Sequence, residues 1–310
     1  LSIEDCMMNE ELKKQLRNRR ICVVIPTYNN DKTIKTVVEK CLLYCDDVIV
    51  VTDGCTDRTT DILHAIDGIT IVSYPQNRGK GYALKMGFRK ALEMGFSYAI
   101  TLDGDGQHYP EDIPLFLKAN QQHPQSLIIG SRQLEGVDRS KGSSFANKFS
   151  NFWFYVQTGR ALPDTQTGYR LYPLHRLYGL SLLTSRYEAE LELLVFASWH
   201  GVKLVPIPIQ VYYPPRNERV SHFRPGKDFA RISVLNTILC FLAVVYGLPL
   251  RLWRALTTTL RTVYSLLFFL FFTLVVFTPF VWIYTKFGKM TERRRYRLHQ
   301  LIYHASRFVM

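Results

Sequence analysis

Residues 97–108 read SYAITLDGDGQH. The apolar run Ser97–Leu102 has the character of a strand, and it ends in Asp103, Asp105 and Gln107 alternating with Gly104 and Gly106. Strand side chains alternate between faces, so an extended backbone past Leu102 would turn all three oxygen-bearing groups to one side. The glycines leave that edge open to a ligand. Hard oxygen ligands suit Mg²⁺ or Mn²⁺, and a cation held by few carboxylates keeps positions for phosphate oxygens. The pattern therefore points to a metal and diphosphate site. An acidic turn fits the same short motif, so the surrounding chain has to decide.

Four further short runs rich in Val and Ile lie outward from this one: Ile21–Ile25, Asp47–Val51, Ile69–Ser73 and Leu127–Ile129. Helical periodicity fills the gaps between them. After the first, Asn30 or Asp31 can cap a helix whose apolar positions are Ile34, Val37, Val38, Cys41 and Leu42. After the third, residues 79–93 read as another helix. Alternating strands and helices predict an α/β fold with a mostly parallel sheet. In such sheets ligands bind beyond the carboxyl ends of the strands. Pro26 to Asn29, Asp53, Asn77 to Gly81 and Asp103 to Gln107 all fall there.

The ordered set of motifs is more specific than any one of them. IPTYNN (25–30), VVTDGCTDRT (50–59), NRGKG (77–81), TLDGDGQHYPEDI (101–113), GSR (130–132), DTQTGYR (164–170), YEAELELL (187–194) and SHFRPGKDFARI (221–232) follow one another. In this the chain resembles family 2 glycosyltransferases of the GT-A (Rossmann-like) fold, in the branch of dolichyl-phosphate mannosyltransferases and polyprenyl-phosphate sugar transferases. Cys55 stands where that family usually has Ser. The resemblance implies that Asp53 contacts the nucleotide base and that Pro26, Thr27 and Tyr28 line base and ribose. Lys80 would meet the diphosphate, aided by a helix N-terminus. Asp103 would stand by ribose and metal, Asp105 would be the direct metal ligand, and Gln107 would complete the coordination. Arg132 and Arg170 fall where the family places arginines near donor diphosphate or acceptor phosphate, and guanidinium forks suit both. Asp164 is the first candidate for a general base if one is required, and Glu190 the second. Each also has a plain structural alternative: a turn for Asp53, although Asp57 suits a cap better; a solvated lysine; ion pairs for the arginines. Glu188, Glu190 and Glu192, spaced by two on one helix, cannot all share a face. His222, Arg224 and Lys227 suit a lipid phosphate or headgroups.

The chain has 310 residues, and 39 Lys and Arg against 26 acidic residues leave a net charge of +13. That excess favours anionic partners. The basic residues gather around two apolar stretches, which argues for membrane and against nucleic acid. Residues 263–284 are uncharged and long enough to span a bilayer. Residues 232–250 are shorter and broken by Asn236, Gly247 and Pro249. A transmembrane helical hairpin would keep both outer basic clusters in the cytoplasm, with Arg251, Arg254 and Arg261 between the spans. The six cysteines fit no zinc spacing and suit a reducing compartment. The expected organisation is an N-terminal extension (1–19), a glycosyltransferase domain (20–228), membrane-associated helices (229–288) and a basic tail (289–310). The polar first 20 residues, beginning at Leu1, suggest an excised fragment or a cytosolic extension. The tail is similar to the lead-in of lysophospholipid-type acyltransferase domains, which suggests a longer native chain.

The expected function is inverting transfer of a hexose from GDP-mannose or UDP-glucose to polyprenyl phosphate, at the cytoplasmic face of the cell (inner) membrane. Transfer to a lipid hydroxyl is the alternative within enzymes. A catalytically inactive nucleotide-sugar-binding protein is the alternative outside them. Self-association into a homo-oligomer stays open.

Overall fold

Seven strands form one sheet in the order β3-β2-β1-β4-β6-β5-β7. They are β1 (Ile21–Thr27), β2 (Val48–Asp53), β3 (Ile69–Tyr74), β4 (Tyr98–Thr101), β5 (Leu127–Arg132), β6 (Arg170–Pro173) and β7 (Leu204–Ile209). The computed structural model describes residues 3–132, 141–179, 183–212 and 225–271, and beyond them 273, 274, 278, 281, 282, 296 and 300. β1 pairs in parallel with β2 and β4, β2 with β3, and β5 with β7; β6 runs antiparallel between β4 and β5. The expected α/β fold with a mostly parallel sheet is present. β1 and β2 are buried at every residue, which is why their sequences are unbroken apolar runs rather than alternating ones.

The helices are α1 (Ile3–Asn18), α2 (Ile34–Tyr44), α3 (Thr59–His64), α4 (Lys80–Glu93), α5 (Ile113–Gln122), α6 (Lys141–Thr158), α7 (Leu174–Leu177), α8 (Glu188–Trp199), α9 (Pro225–Leu242) and α10 (Leu248–Phe271). On α2, Ile34, Val37, Val38 and Cys41 are buried as the periodicity predicts. The expected cap at Asn30 or Asp31 is not formed. Thr33 is the N-cap, and its hydroxyl donates instead to Gly104 O at 2.7 Å, tying this helix to the acidic loop. α4 packs closely on the sheet: a Cβ at Gly87 would lie 2.5 Å from Val24 Cγ1. α1 is more than an appendage. Leu16 joins the core, and Lys13 and Arg17 both pair with Asp46.

By contacts the chain divides into Leu1–Leu248 and Pro249–Met310. Residues Ala230–Phe271 are helical over 42 residues and contain the single described helix long and apolar enough to cross a membrane. A π-turn at Ala243–Gly247 precedes Pro249, a wider turn that accommodates the missing N–H of proline. Where the sequence suggests a break between two spans, Arg251, Arg254 and Arg261 lie within α10. Most of the second apolar stretch beyond 271, and the basic tail, lie outside the described residues.

Candidate active site

The carboxyl ends of β1, β2 and β4 bring the sequence-predicted residues to one rim. β4 stops at Thr101, and the chain then turns instead of continuing extended. Asp105 Oδ1 accepts the Gln107 N–H at 3.0 Å, and Gly106 takes φ +79°. The strand-like presentation of Asp103, Asp105 and Gln107 is therefore replaced by an aspartate turn. The backbone finds its hydrogen bond in the Asp105 side chain rather than in a neighbouring strand. Gly104 lies against Thr27, where a Cβ would come within 2.9 Å of Thr27 Oγ1. Pro26 and Thr27 are buried at the end of β1, and Tyr28 is half-buried just beyond them.

Lys80, the first residue of α4, sits between two carboxylates. Its Nζ is 2.7 Å from Asp103 Oδ1 and 2.9 Å from Glu190 Oε2. Burial opposes the ammonium charge, but Asp103 and Glu190 outweigh it and raise the lysine pKa. Lys80 in turn holds the Asp103 carboxyl below its usual range against the cost of desolvation. Asp105 behaves oppositely: burial, and then the neighbouring charge of Asp103, push its pKa up to about 6. His108 is buried beside Asp103, with Nδ1 3.4 Å from the Asp103 N–H, and burial pushes its pKa down to about 4. A neutral imidazole thus backs the acidic loop. This residue was within the decisive stretch but carried no ligand spacing to single it out.

Asp53 is 3% exposed, and its oxygens accept the N–H groups of Arg78 (2.7 Å) and Gly79 (2.8 Å). It therefore pins the loop that leads into α4. Asp57 holds its own turn as expected, accepting from the Thr59 and Asp31 N–H groups. Gly54 at φ +65° brings the two loops together, for a Cβ there would lie 2.3 Å from Asn77 N.

Two expectations change. Asp164 is fully buried and engaged with Arg132, Nε to Oδ2 at 2.6 Å and Nη2 to Oδ1 at 3.0 Å. It also accepts the Gln166 N–H. Both of its carboxylate oxygens are thereby engaged within the protein. Arg170 is 0% exposed and donates to Thr165 O, Glu190 O and Tyr172 Oη, so it braces the site from behind the rim. Sequence spacing also underestimated α8. Glu188, Glu190 and Glu192 are all buried, because α8 is enclosed on nearly every side. Glu192 accepts from the Leu183 and Thr184 N–H groups, and Glu190 reaches Lys80. His222 and Arg224 lie outside the described residues, as does the side chain of Lys227.

Among the described residues no three His, Cys, Asp or Glu side chains gather into a metal cluster. The acidic loop nonetheless fits a hard divalent cation. Asp105 offers carboxylate oxygen whose charge burial and the neighbouring Asp103 leave poorly compensated. A site with so few protein ligands leaves coordination for phosphate oxygens.

A lysine at a helix N-terminus beyond the carboxyl ends of parallel strands marks the place where folds of this class receive phosphate-bearing ligands. The sequence profile described as glycosyl transferase family 2 matches residues 22–172. The chain is 30% identical to a polyprenol monophosphomannose synthase of Mycolicibacterium smegmatis, over 62% of this chain and 77% of that protein. It is 28% identical to a UDP-N-acetylglucosamine–dolichyl-phosphate N-acetylglucosaminyltransferase of Methanococcus voltae, over 64% and 88%. An uncharacterised protein of Methanocaldococcus jannaschii is 30% identical over 66% and 88%. Among solved structures, glucosyl-3-phosphoglycerate synthase of Mycobacterium tuberculosis shares the fold, with TM-score 0.56 at 20% identity over 75% and 84% of the two chains. The chain belongs to glycosyl transferase family 2.

Proposed function

We propose that this protein is a membrane-associated, inverting glycosyltransferase that moves a hexose from GDP-mannose or UDP-glucose to a polyprenyl phosphate. The observation that carries the reading is the chain of charges Asp103–Lys80–Glu190 beside Asp105, at the carboxyl ends of the central parallel strands. The names of two of its relatives favour a lipid phosphate acceptor, one naming a dolichyl phosphate and the other a polyprenol. Solved neighbours bind Mn²⁺ with UDP-glucose, in keeping with a nucleotide-sugar donor.

Transfer leaves negative charge on the departing diphosphate as the sugar carbon becomes electron-poor. Mg²⁺ or Mn²⁺ held by Asp105, with Asp103 and Gln107 beside it, would supply Lewis-acid neutralisation of that charge. Lys80, held between Asp103 and Glu190 at the start of α4, supplies an ammonium on the same side. Asp53 fixes the loop that carries Lys80, and Pro26, Thr27 and Tyr28 form the floor on which base and ribose rest. A lipid phosphate is already an anion near neutral pH and needs positioning rather than deprotonation. The locked state of Asp164 agrees with that, and it disfavours a lipid hydroxyl acceptor, which would need a base. Arg132, held by Asp164, keeps a guanidinium near the rim. A single displacement opposite the leaving group inverts the anomeric carbon.

The test is a donor screen. Purified protein with Mn²⁺ or Mg²⁺ should release nucleoside diphosphate from one nucleotide sugar only when polyprenyl phosphate is added. Release unaffected by that lipid would refute the acceptor, and no release from any donor would refute the enzyme.

A further inference from the structure

α6 has two faces of opposite character. The inner one holds the loop that carries Asp164: Asn151 Nδ2 donates to Pro163 O at 2.8 Å, Asn151 Oδ1 accepts the Thr165 N–H at 3.0 Å, and the Ser150 and Thr165 hydroxyls lie 2.7 Å apart. The outer face is apolar and uncovered. Phe152 is 57% exposed, Tyr155 55% and Val156 48%, and positions three and four apart share one side of a helix. Half-buried Trp153 stands edge-on to Phe152, with ring centroids 5.4 Å apart. Exposed Lys148 lies one turn before Phe152, and no Asp or Glu occurs from Lys141 to Thr158.

One exposed aromatic residue needs no explanation, but a contiguous apolar face marks a surface that meets a partner. The neighbouring helix identifies that partner. α6 and α9 pack on each other and on α8; Gln157 Nε2 donates to Asn236 Oδ1 at 2.9 Å, and Trp199 Nε1 donates to Gln157 O at 2.9 Å. α9 turns Leu235, Asn236 and Leu239 inward and leaves Val234, Ile238 and Phe241 uncovered. Most of α9 belongs to the helical run Ala230–Phe271, a candidate to cross a membrane. Aromatic rings with a lysine and no acid, on a helix packed beside that run, suit the headgroup layer: the rings enter the acyl boundary and the lysine reaches lipid phosphates. We propose that the outer face of α6, with Phe152, Tyr155 and Val156, is a lipid-contacting surface seated in the interfacial layer of the bilayer. The inference rests on the membrane association proposed above. Since the inner face of α6 holds the Asp164 loop, and Asp164 holds Arg132, this seating fixes that loop relative to the lipid surface.

Photocrosslinking in the full chain tests this directly. Benzoylphenylalanine replaces Phe152, Tyr155, Leu115 or Leu267, one at a time, in nanodiscs of phosphatidylcholine and phosphatidylglycerol, and lipid adducts are read by mass spectrometry. All four side chains are exposed, so the core is left intact. Leu115 is the control away from lipid: it lies on α5, across the sheet from α8, because Tyr169 packs on Phe116 whereas the adjacent Arg170 donates to Glu190 O. Leu267, on α10, reports whether the chain enters the bilayer at all. Lipid adducts at Phe152, Tyr155 and Leu267 should exceed those at Leu115 severalfold. Adducts at Leu267 without any excess at Phe152 and Tyr155 would overturn the inference and leave membrane association standing, as would crosslinks from Phe152 or Tyr155 to a second copy of the chain in place of lipid. No lipid adduct at Leu267 would refute membrane association itself, and the inference with it.

Discussion

Asp103 and Asp105 are two residues apart and have opposite electrostatic fates. Lys80 stabilises the first as a carboxylate, while burial and that same carboxylate raise the second to about 6. The sign of the consequence is fixed by linkage. A raised carboxyl pKa adds stability that is present below the unfolded value of 3.8 and lost as pH rises through about 6. A cation must displace that proton below pH 6 and meets no such competitor above it. Mn²⁺ affinity, measured by calorimetry or electron paramagnetic resonance, should therefore fall by roughly tenfold per pH unit below about pH 6 and level off above it. Affinity that does not vary between pH 5 and 7 would contradict a metal role for Asp105.

At the scale of elements, α4 carries Lys80 into the site and is held by close packing. Gly87 lies against Val24 and Val51, where a Cβ would have no room. Gly87→Leu should destabilise the protein by about 1–3 kcal/mol or more, read as a lower midpoint in chemical denaturation, with donor affinity falling as Lys80 shifts. An unchanged midpoint would mean that α4 can slide without cost. The same elements show how far sequence alone carries. β1, β2, β4 and β5 are legible because strands covered on both faces are continuous apolar runs, and β3, a partly exposed edge, is legible from its Ile and Val residues alone. β6 was not, because it has four residues, begins with buried Arg170 and ends with Pro173. β7 was hidden by Pro206 and Pro208, tolerated because β7 is an edge of the sheet. The loops of the site were legible in their residues but not in their partnerships. Asp53 with the Arg78–Gly79 backbone, Asp164 with Arg132 and Glu190 with Lys80 are contacts between distant segments, which no local period encodes.

Across the whole molecule, apolar surface is unevenly placed. α9 buries Leu235 and Leu239 and exposes Val234, Ile238 and Phe241, while α10 exposes Leu266, Leu267, Phe268 and Phe269. The helical run of 42 residues is about twice the ~20 that a bilayer core requires, which by length and composition makes it a candidate to cross a membrane. Arg251, Arg254 and Arg261 suit the headgroup layer. Membranes from expressing cells should retain the protein through an alkaline carbonate wash and release it to detergent; release by carbonate would show peripheral attachment. On the proposed function, the rim around Asp105 drives transfer of a sugar to a lipid phosphate. Its most direct test follows labelled sugar from the nucleotide donor into polyprenyl phosphate with wild type and Asp105→Asn. The predicted result is an acid-labile lipid-linked sugar whose rate of formation falls by roughly 10² or more in the variant. An acid-stable product, or a variant as fast as wild type, would contradict the account.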